Sequence, residues 1–162
     1  MPSNPYAAGL AMLARRELSA AQVTERLRRR GFAPDEVAAA VCRLRGERAL
    51  DDRRAATVHA RHAARVTHRS PRRAELEITA LGIAPATARA AVAAVYAEER
   101  TETVIGHALA RRLPEGAVIE GRAHFARLHR HLVRQGFDPQ MAMATLRTRA
   151  GTPAAAEDGP PP

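Results

Sequence analysis

Gly31-Phe32-Ala33-Pro34 returns as Gly82-Ile83-Ala84-Pro85 and again as Gly136-Phe137-Asp138-Pro139, at separations of 51 and 54 residues. In each copy a Gly closes one helix, an apolar residue follows, and Pro takes the first position of the next helix. Gly supplies the left-handed conformation at a helix end, and Pro fits a first turn whose N–H has no intrahelical partner. The quartet is therefore a helix–turn–helix corner used three times. Working outward, Val23 and Leu27 align with Ala74 and Ile78, then with Leu128 and Leu132. Beyond the corner, Val37, Val41 and Leu44 align with Ala88, Val92 and Val95, then with Ala142, Leu146 and Arg149. Spacings of four and three keep each set on one helical face. Only Arg149 breaks the pattern.

A leading helix completes each unit. Tyr6, Leu10 and Leu13 form a stripe in the first, ending near Arg15-Arg16, and Ser19 with Gln22 makes a capping box for the second helix. Asp51-Asp52 opens a helix through about Val66, and Ser70-Pro71 caps the next. The third leading helix is expected over roughly Glu99 to Arg112. A longer connection from Leu113 to Gly121 follows, and Asp138-Pro139 starts the last helix. The fold class is all-α: three tandem three-helix repeats forming an elongated, curved array. The expected limits are a disordered 1–5, units over 6–51, 52–98 and 99–149, and a disordered tail over 150–162, where Gly, Thr, Pro and Ala take over.

Composition bounds the function. The 162 residues carry a net charge of +9, and all 26 basic residues are Arg. Guanidinium groups bind phosphate and carboxylate bidentately, which suits a polyanion or an acidic protein groove. Genomic composition turning Lys codons into Arg codons accounts equally for Arg in place of Lys, though not for the excess of positive charge. Arginines number nine, eight and nine over 6–51, 52–98 and 99–149, a long basic surface rather than one pocket. Arg26, Arg28, Arg29 and Arg30 form the sharpest cluster; the same residues also complement the negative end of a helix dipole. Arg53-Arg54 and Arg72-Arg73 are the next pairs, with Arg72-Arg73 the stronger because two acids precede Arg53. These eight are the candidate residues for binding a partner or nucleic acid.

Aromatics are 3% of the chain, and Phe32 and Phe137 belong to the corners and hence to the core. Any single-strand binding is then electrostatic and salt-sensitive rather than built on stacking. The single cysteine, Cys42, lies in an Ala-rich helix and reads as a buried structural thiol; it excludes a disulfide framework. His59 and His62 share a helical face without ligand partners of suitable spacing. His62 is expected on the packed face and His129 and His131 on the polar one. Neither a phosphate loop, a nucleophile elbow nor a carboxylate pair is present, so no enzyme, no metal and no cofactor is expected. The N-terminus lacks a signal sequence and no stretch approaches ~20 apolar residues, which places the protein in the cytosol, off the membrane and monomeric.

Leu13-Ala14-Arg15-Arg16-Glu17-Leu18-Ser19, Arg29-Arg30-Gly31-Phe32 and Leu50-Asp51-Asp52-Arg53-Arg54-Ala55 resemble the RecX family, bacterial regulators of the RecA recombinase. Ser70-Pro71-Arg72-Arg73 with Leu81-Gly82-Ile83 resembles its second unit, and Arg134-Gln135-Gly136-Phe137-Asp138-Pro139 its third. The similarity spans about residues 6–149, with most specificity between Arg15 and Arg54. It implies docking in the groove of the RecA–single-stranded DNA filament, hindering ATP hydrolysis, filament extension and strand exchange, and so a place in homologous recombination, DNA repair and the SOS response. Two positions depart from the family: Ala55-Ala56 stand where an aromatic is usual, thinning the second unit's core, and Gln22 stands where Glu is usual. The alternatives are a basic helical protein that binds single- or double-stranded DNA without RecA, and a helical adaptor for another acidic protein.

Overall fold

The structure is a computed structural model that describes residues 4–150. Among the described residues the chain forms nine α-helices: α1 (Pro5–Leu13), α2 (Ala20–Arg29), α3 (Pro34–Gly46), α4 (Asp52–Arg65), α5 (Pro71–Ala80), α6 (Pro85–Glu99), α7 (Thr101–Ala110), α8 (Gly121–Arg134) and α9 (Pro139–Ala150). They fall into three consecutive triplets joined at equivalent corners. None of them is long and apolar enough to cross a membrane. The expected disordered ends lie mainly outside the described residues, but Pro5 opens α1 and Ala150 closes α9.

Each corner obeys the local chemistry of its residues. Gly31, Gly82 and Gly136 have φ of 87, 78 and 91°, and the preceding helices end in back-bonded turns. Gly136 N–H donates to the Val133 carbonyl and Phe137 N–H to that of Leu132; Gly31 and Phe32 do the same to Arg28 and Leu27. Ser19 and Gln22 close the capping box at α2, and Ser70 Oγ accepts from Arg73 N–H at α5. Asp138 Oδ1 accepts from the N–H groups of Gln140 and Met141 at α9. The aligned pairs Val23/Leu27, Ala74/Ile78 and Leu128/Leu132 are all buried, as are Val37/Leu44, Val92/Val95 and Ala142/Leu146.

The interior is divided. One cluster fills the first unit, from Ala8 to Leu50, and a second runs without interruption through the other two, from Ala55 to Leu146. The second unit's core tolerates Ala55-Ala56 because α4 buries a whole alanine face, Ala55, Ala56, Ala60, Ala63 and Ala64, against α6. Small side chains allow close helix approach, and Tyr96 of α6 is buried in the same core, towards the far end of α4. Its hydroxyl donates to the Arg69 carbonyl at 2.7 Å, and burial pushes that phenol well above its usual range.

Four expectations need correcting. On α1 the buried residues are Pro5, Ala8, Gly9 and Met12, whereas Leu10 is exposed; a side chain at Gly9 would run into Leu44, so helix packing there requires a small residue rather than a leucine. Glu99 belongs to α6, and α7 begins only after Arg100, whose φ of 54° breaks the helix. Cys42 is exposed, because it lies two residues from both Ala40 and Leu44 and so about 200° around the helix from each. Phe137 is buried but Phe32 only half so; the space beside its corner is open among the described residues, where nothing lies within 4 Å of a Cβ built on Gly31.

Candidate polyanion-binding site

Where consecutive units meet, equivalent residues come together twice. The corner glycine of the following unit sits on the N-terminus of the second helix of the preceding one. Ser19 Oγ donates to the Leu81 carbonyl, next to Gly82; Ser70 N–H donates to the Gln135 carbonyl, next to Gly136, at 3.0 Å. A Cβ on Gly82 would collide with Ala21, and one on Gly136 would lie 2.6 Å from both Arg73 Cβ and Ser70 Oγ. Around Gly31 nothing lies within 4 Å of that position among the described residues. The first unit's corner is thus left open, and the arginines that lead into it are free to face solvent.

Those arginines meet others from α1. Arg15 and Arg16, just past the end of α1, converge with Arg26, Arg29 and Arg30 around a polar cleft of about 510 Å³ floored by Met12. None of the five pairs with a carboxylate among the described residues. Burial, then the like charges of Arg16, Arg29 and Arg30, hold the Arg26 guanidinium below its ordinary value. Guanidinium remains charged at any physiological pH, so the cluster carries a repulsion that a bound anion would relieve. Arg16 also acts on His59 of α4. Burial, followed by His62 and Arg16, lowers that imidazole.

The eight arginines singled out by sequence separate in space. Arg26, Arg29 and Arg30 line the cleft, while Arg28 is exposed outside it. Arg53 is exposed with no ion pair among the described residues. Arg54 is a strut: its Nε donates to Glu17 at 2.6 Å, and its two terminal nitrogens donate to the carbonyls of Arg48 and Ala49. Arg73 pairs with Glu77 at 2.8 Å, whereas Arg72 faces a different groove, between the second and third units. The third unit's arginines also lack ion pairs among the described residues, so absence of an acid partner does not by itself single out the first cluster; convergence does. Arg15 and Arg16 escaped the sequence reading because they lie ten residues and more ahead of Arg26 and meet it only when α1 folds against α2.

The histidines offer no rival site. His62 is exposed rather than on the packed face expected for it, and His59 is half-buried. His131 is not on an open polar face but packs near α7, its Nε2 3.3 Å from the Ala108 carbonyl, and burial lowers its pKa. Among the described residues no three His, Cys, Asp or Glu side chains are grouped to hold a metal ion.

Comparison with known proteins bears on the fold. Residues 6–44 match the family described as RecX, first three-helix domain. The fold is similar to the crystal structure of RecX from Lactobacillus salivarius, with a TM-score of 0.70 at 18% identity over 90% of this chain and 94% of that one. It is similar also to a crystal structure of regulatory protein RecX, with a TM-score of 0.69 at 16% identity over 87% of this chain and 69% of the other. No curated protein matches the sequence.

Proposed function

We propose that the chain is a RecX-type regulator, a reading supported by the match of residues 6–44 to the first three-helix domain of RecX and by the likeness of its fold to RecX crystal structures, and that it binds the RecA–single-stranded DNA filament and restrains RecA's ATPase, filament extension and strand exchange. The observation that carries this reading is the convergence of Arg15, Arg16, Arg26, Arg29 and Arg30 around one cleft with no carboxylate paired to them among the described residues. Such a cleft suits a run of phosphates or an acidic protein ridge, both of which a nucleoprotein filament offers. Arg28 and Arg53, exposed beside it, extend the basic surface. The protein then acts by occupying a surface, with no bond made or broken.

RecA ATPase on single-stranded DNA, with this protein added below stoichiometry, tests the proposal. The wild type should inhibit. Reversing Arg28, Arg29 and Arg30 to Glu should abolish inhibition while far-ultraviolet circular dichroism stays unchanged, and undiminished inhibition would remove the cluster from the mechanism. The same cleft also favours direct binding to DNA without RecA. Titration of labelled single strands separates the two: each phosphate contact contributes about 0.7 to the slope of log K against log salt, so a cleft taking four or five gives roughly 3. Tight binding on that slope, combined with no effect on RecA, would decide for the second reading.

A further inference from the structure

The joint between the second and third units carries a groove of about 760 Å³ that the first joint has no counterpart for in residue type. Its walls include Arg72 and Leu76 of α5, Val133 and Arg134 at the end of α8, and Met141 of α9. Leu76 is 60% exposed and Val133 36%, neighbours on an apolar strip. Arg73 is occupied by Glu77 and the Asp138 carboxylate by the α9 cap. Arg72 and Arg134 have no carboxylate partner among the described residues.

The chain supplies its own control. At the repeat spacings of 51 and 54, the equivalents of Arg72, Leu76, Val133, Arg134 and Met141 are Ala21, Glu25, Thr79, Ala80 and Thr87. Both joints seat the cap serine on the carbonyl before the corner glycine, through the Ser19 hydroxyl in one and the Ser70 backbone N–H in the other, so this seating does not call for an exposed leucine or for two uncompensated guanidiniums. An apolar strip rimmed by cations, whose one lining aromatic, Phe137, is buried and cannot stack on a base, complements a peptide better than a nucleic-acid strand. We propose that this groove is a docking site for an acidic peptide segment, in which one or two large aliphatic side chains seat against Leu76, Val133 and Met141 while flanking carboxylates pair with Arg72 and Arg134. The site is separate from the cleft of the first unit and does not depend on the filament reading.

Fluorescence anisotropy tests it with a labelled dodecapeptide of Asp and Glu carrying two leucines three positions apart, beside the same peptide with both leucines replaced by Ser. At about 0.15 M salt, where surface charges are largely screened, the wild type should bind the leucine peptide about tenfold more tightly than the serine one, a difference of about 1.4 kcal/mol. Leu76→Glu should erase that difference. Arg72→Ala with Arg134→Ala should weaken the leucine peptide about tenfold. All three substitutions import residues that the first joint already accommodates, and unchanged circular dichroism confirms folding. Equal binding of both peptides to the wild type, no saturation by about 1 mM, or an undiminished preference in Leu76→Glu overturns the proposal. So does a thymidine oligonucleotide whose affinity, in place of the peptide's, falls in Leu76→Glu.

Discussion

Gly136→Ala measures how tightly the units are seated on one another, and Gly31→Ala supplies the reference. The two glycines share nearly the same backbone, φ of 91 and 87°, so an added Cβ meets the same intrinsic penalty of about 1–2 kcal/mol. The gain from stiffening the unfolded chain, about 0.4–1 kcal/mol, is common to both and cancels. The surroundings are what differ. At Gly31 the Cβ enters open space, whereas at Gly136 it lies 2.6 Å from Arg73 Cβ and Ser70 Oγ and 3.5 Å from Arg73 Cα. Ordinary contact begins near 3.4 Å, so the joint has to open by most of an ångström. Ser70 caps α5 and donates to Gln135, hence neither side moves freely. Overpacking of this kind costs about 1–3 kcal/mol, and a chain of this length loses roughly 2–4 °C of Tm per kcal/mol. Thermal unfolding followed at 222 nm should place Gly136→Ala about 2–12 °C below Gly31→Ala. Equal midpoints would refute the argument that the corner glycine is required by the joint rather than by the turn.

Further outcomes follow from other contacts. Arg54→Ala should destabilise by about 2 kcal/mol in urea unfolding, through two lost carbonyl bonds of about 1 kcal/mol each; its ion pair with Glu17 is partly exposed and adds little. Because Arg54 is a strut, the salt slope for single-stranded DNA should stay at its wild-type value in that variant, whereas Arg26→Ala lowers it by about 0.7. His59 and His131 are both held below the ordinary imidazole value, so the unfolded chain takes up protons first. Their contribution to stability is complete above about pH 6.5 and declines as pH falls through that value towards their folded-state pKa; urea midpoints at pH 7.5 and 5.5 should differ less in a His59→Gln, His131→Gln variant. Cys42 should react with a thiol reagent in the native protein about as fast as in urea, because it is exposed on α3.

What the sequence displays best is what the backbone enforces locally. Gly and Pro punctuate the corners, Ser19, Ser70 and Asp138 announce helix starts, and apolar residues at intervals of four and three mark the faces of α2, α3, α8 and α9. Legibility fails where small residues carry the packing. Ala8, Gly9 and the alanine face of α4 are buried as completely as any leucine, yet Ala is equally at home on a surface, so hydropathy pointed to Leu10 and to Cys42 instead. The joints were hidden for another reason. Ser19 and Ser70 read as caps and are caps, but the same two residues also bind Leu81 and Gln135, more than sixty positions away. The site shows both limits: Arg29 and Arg30 were visible as a run, whereas Arg15 and Arg16 join them only through tertiary contact, and Arg54 is diverted by Glu17.

The division of the core bears on how the basic cleft can work. The second and third units share one continuous apolar interior, so their relative placement is fixed by burial. The first unit keeps its own interior and meets the second through the close approach of Gly82 to Ala21 and through polar contacts: Ser19 to Leu81, Ala20 N–H to Asp52 at 2.8 Å, and Arg54 to Glu17. Hydrogen bonds fix direction, but each contributes only about 1 kcal/mol net because water competes for the same groups. A joint of that kind holds register at lower energetic cost of displacement than an apolar one. The cleft of five arginines therefore sits on the unit whose orientation costs least to adjust, and the open corner at Gly31 leaves room beside it. A polyanion with a helical repeat of its own presents phosphates or carboxylates at positions the protein does not set. On the proposed filament reading, a first unit seated largely by hydrogen bonds adjusts to that spacing more readily than the second and third units, which share one apolar interior.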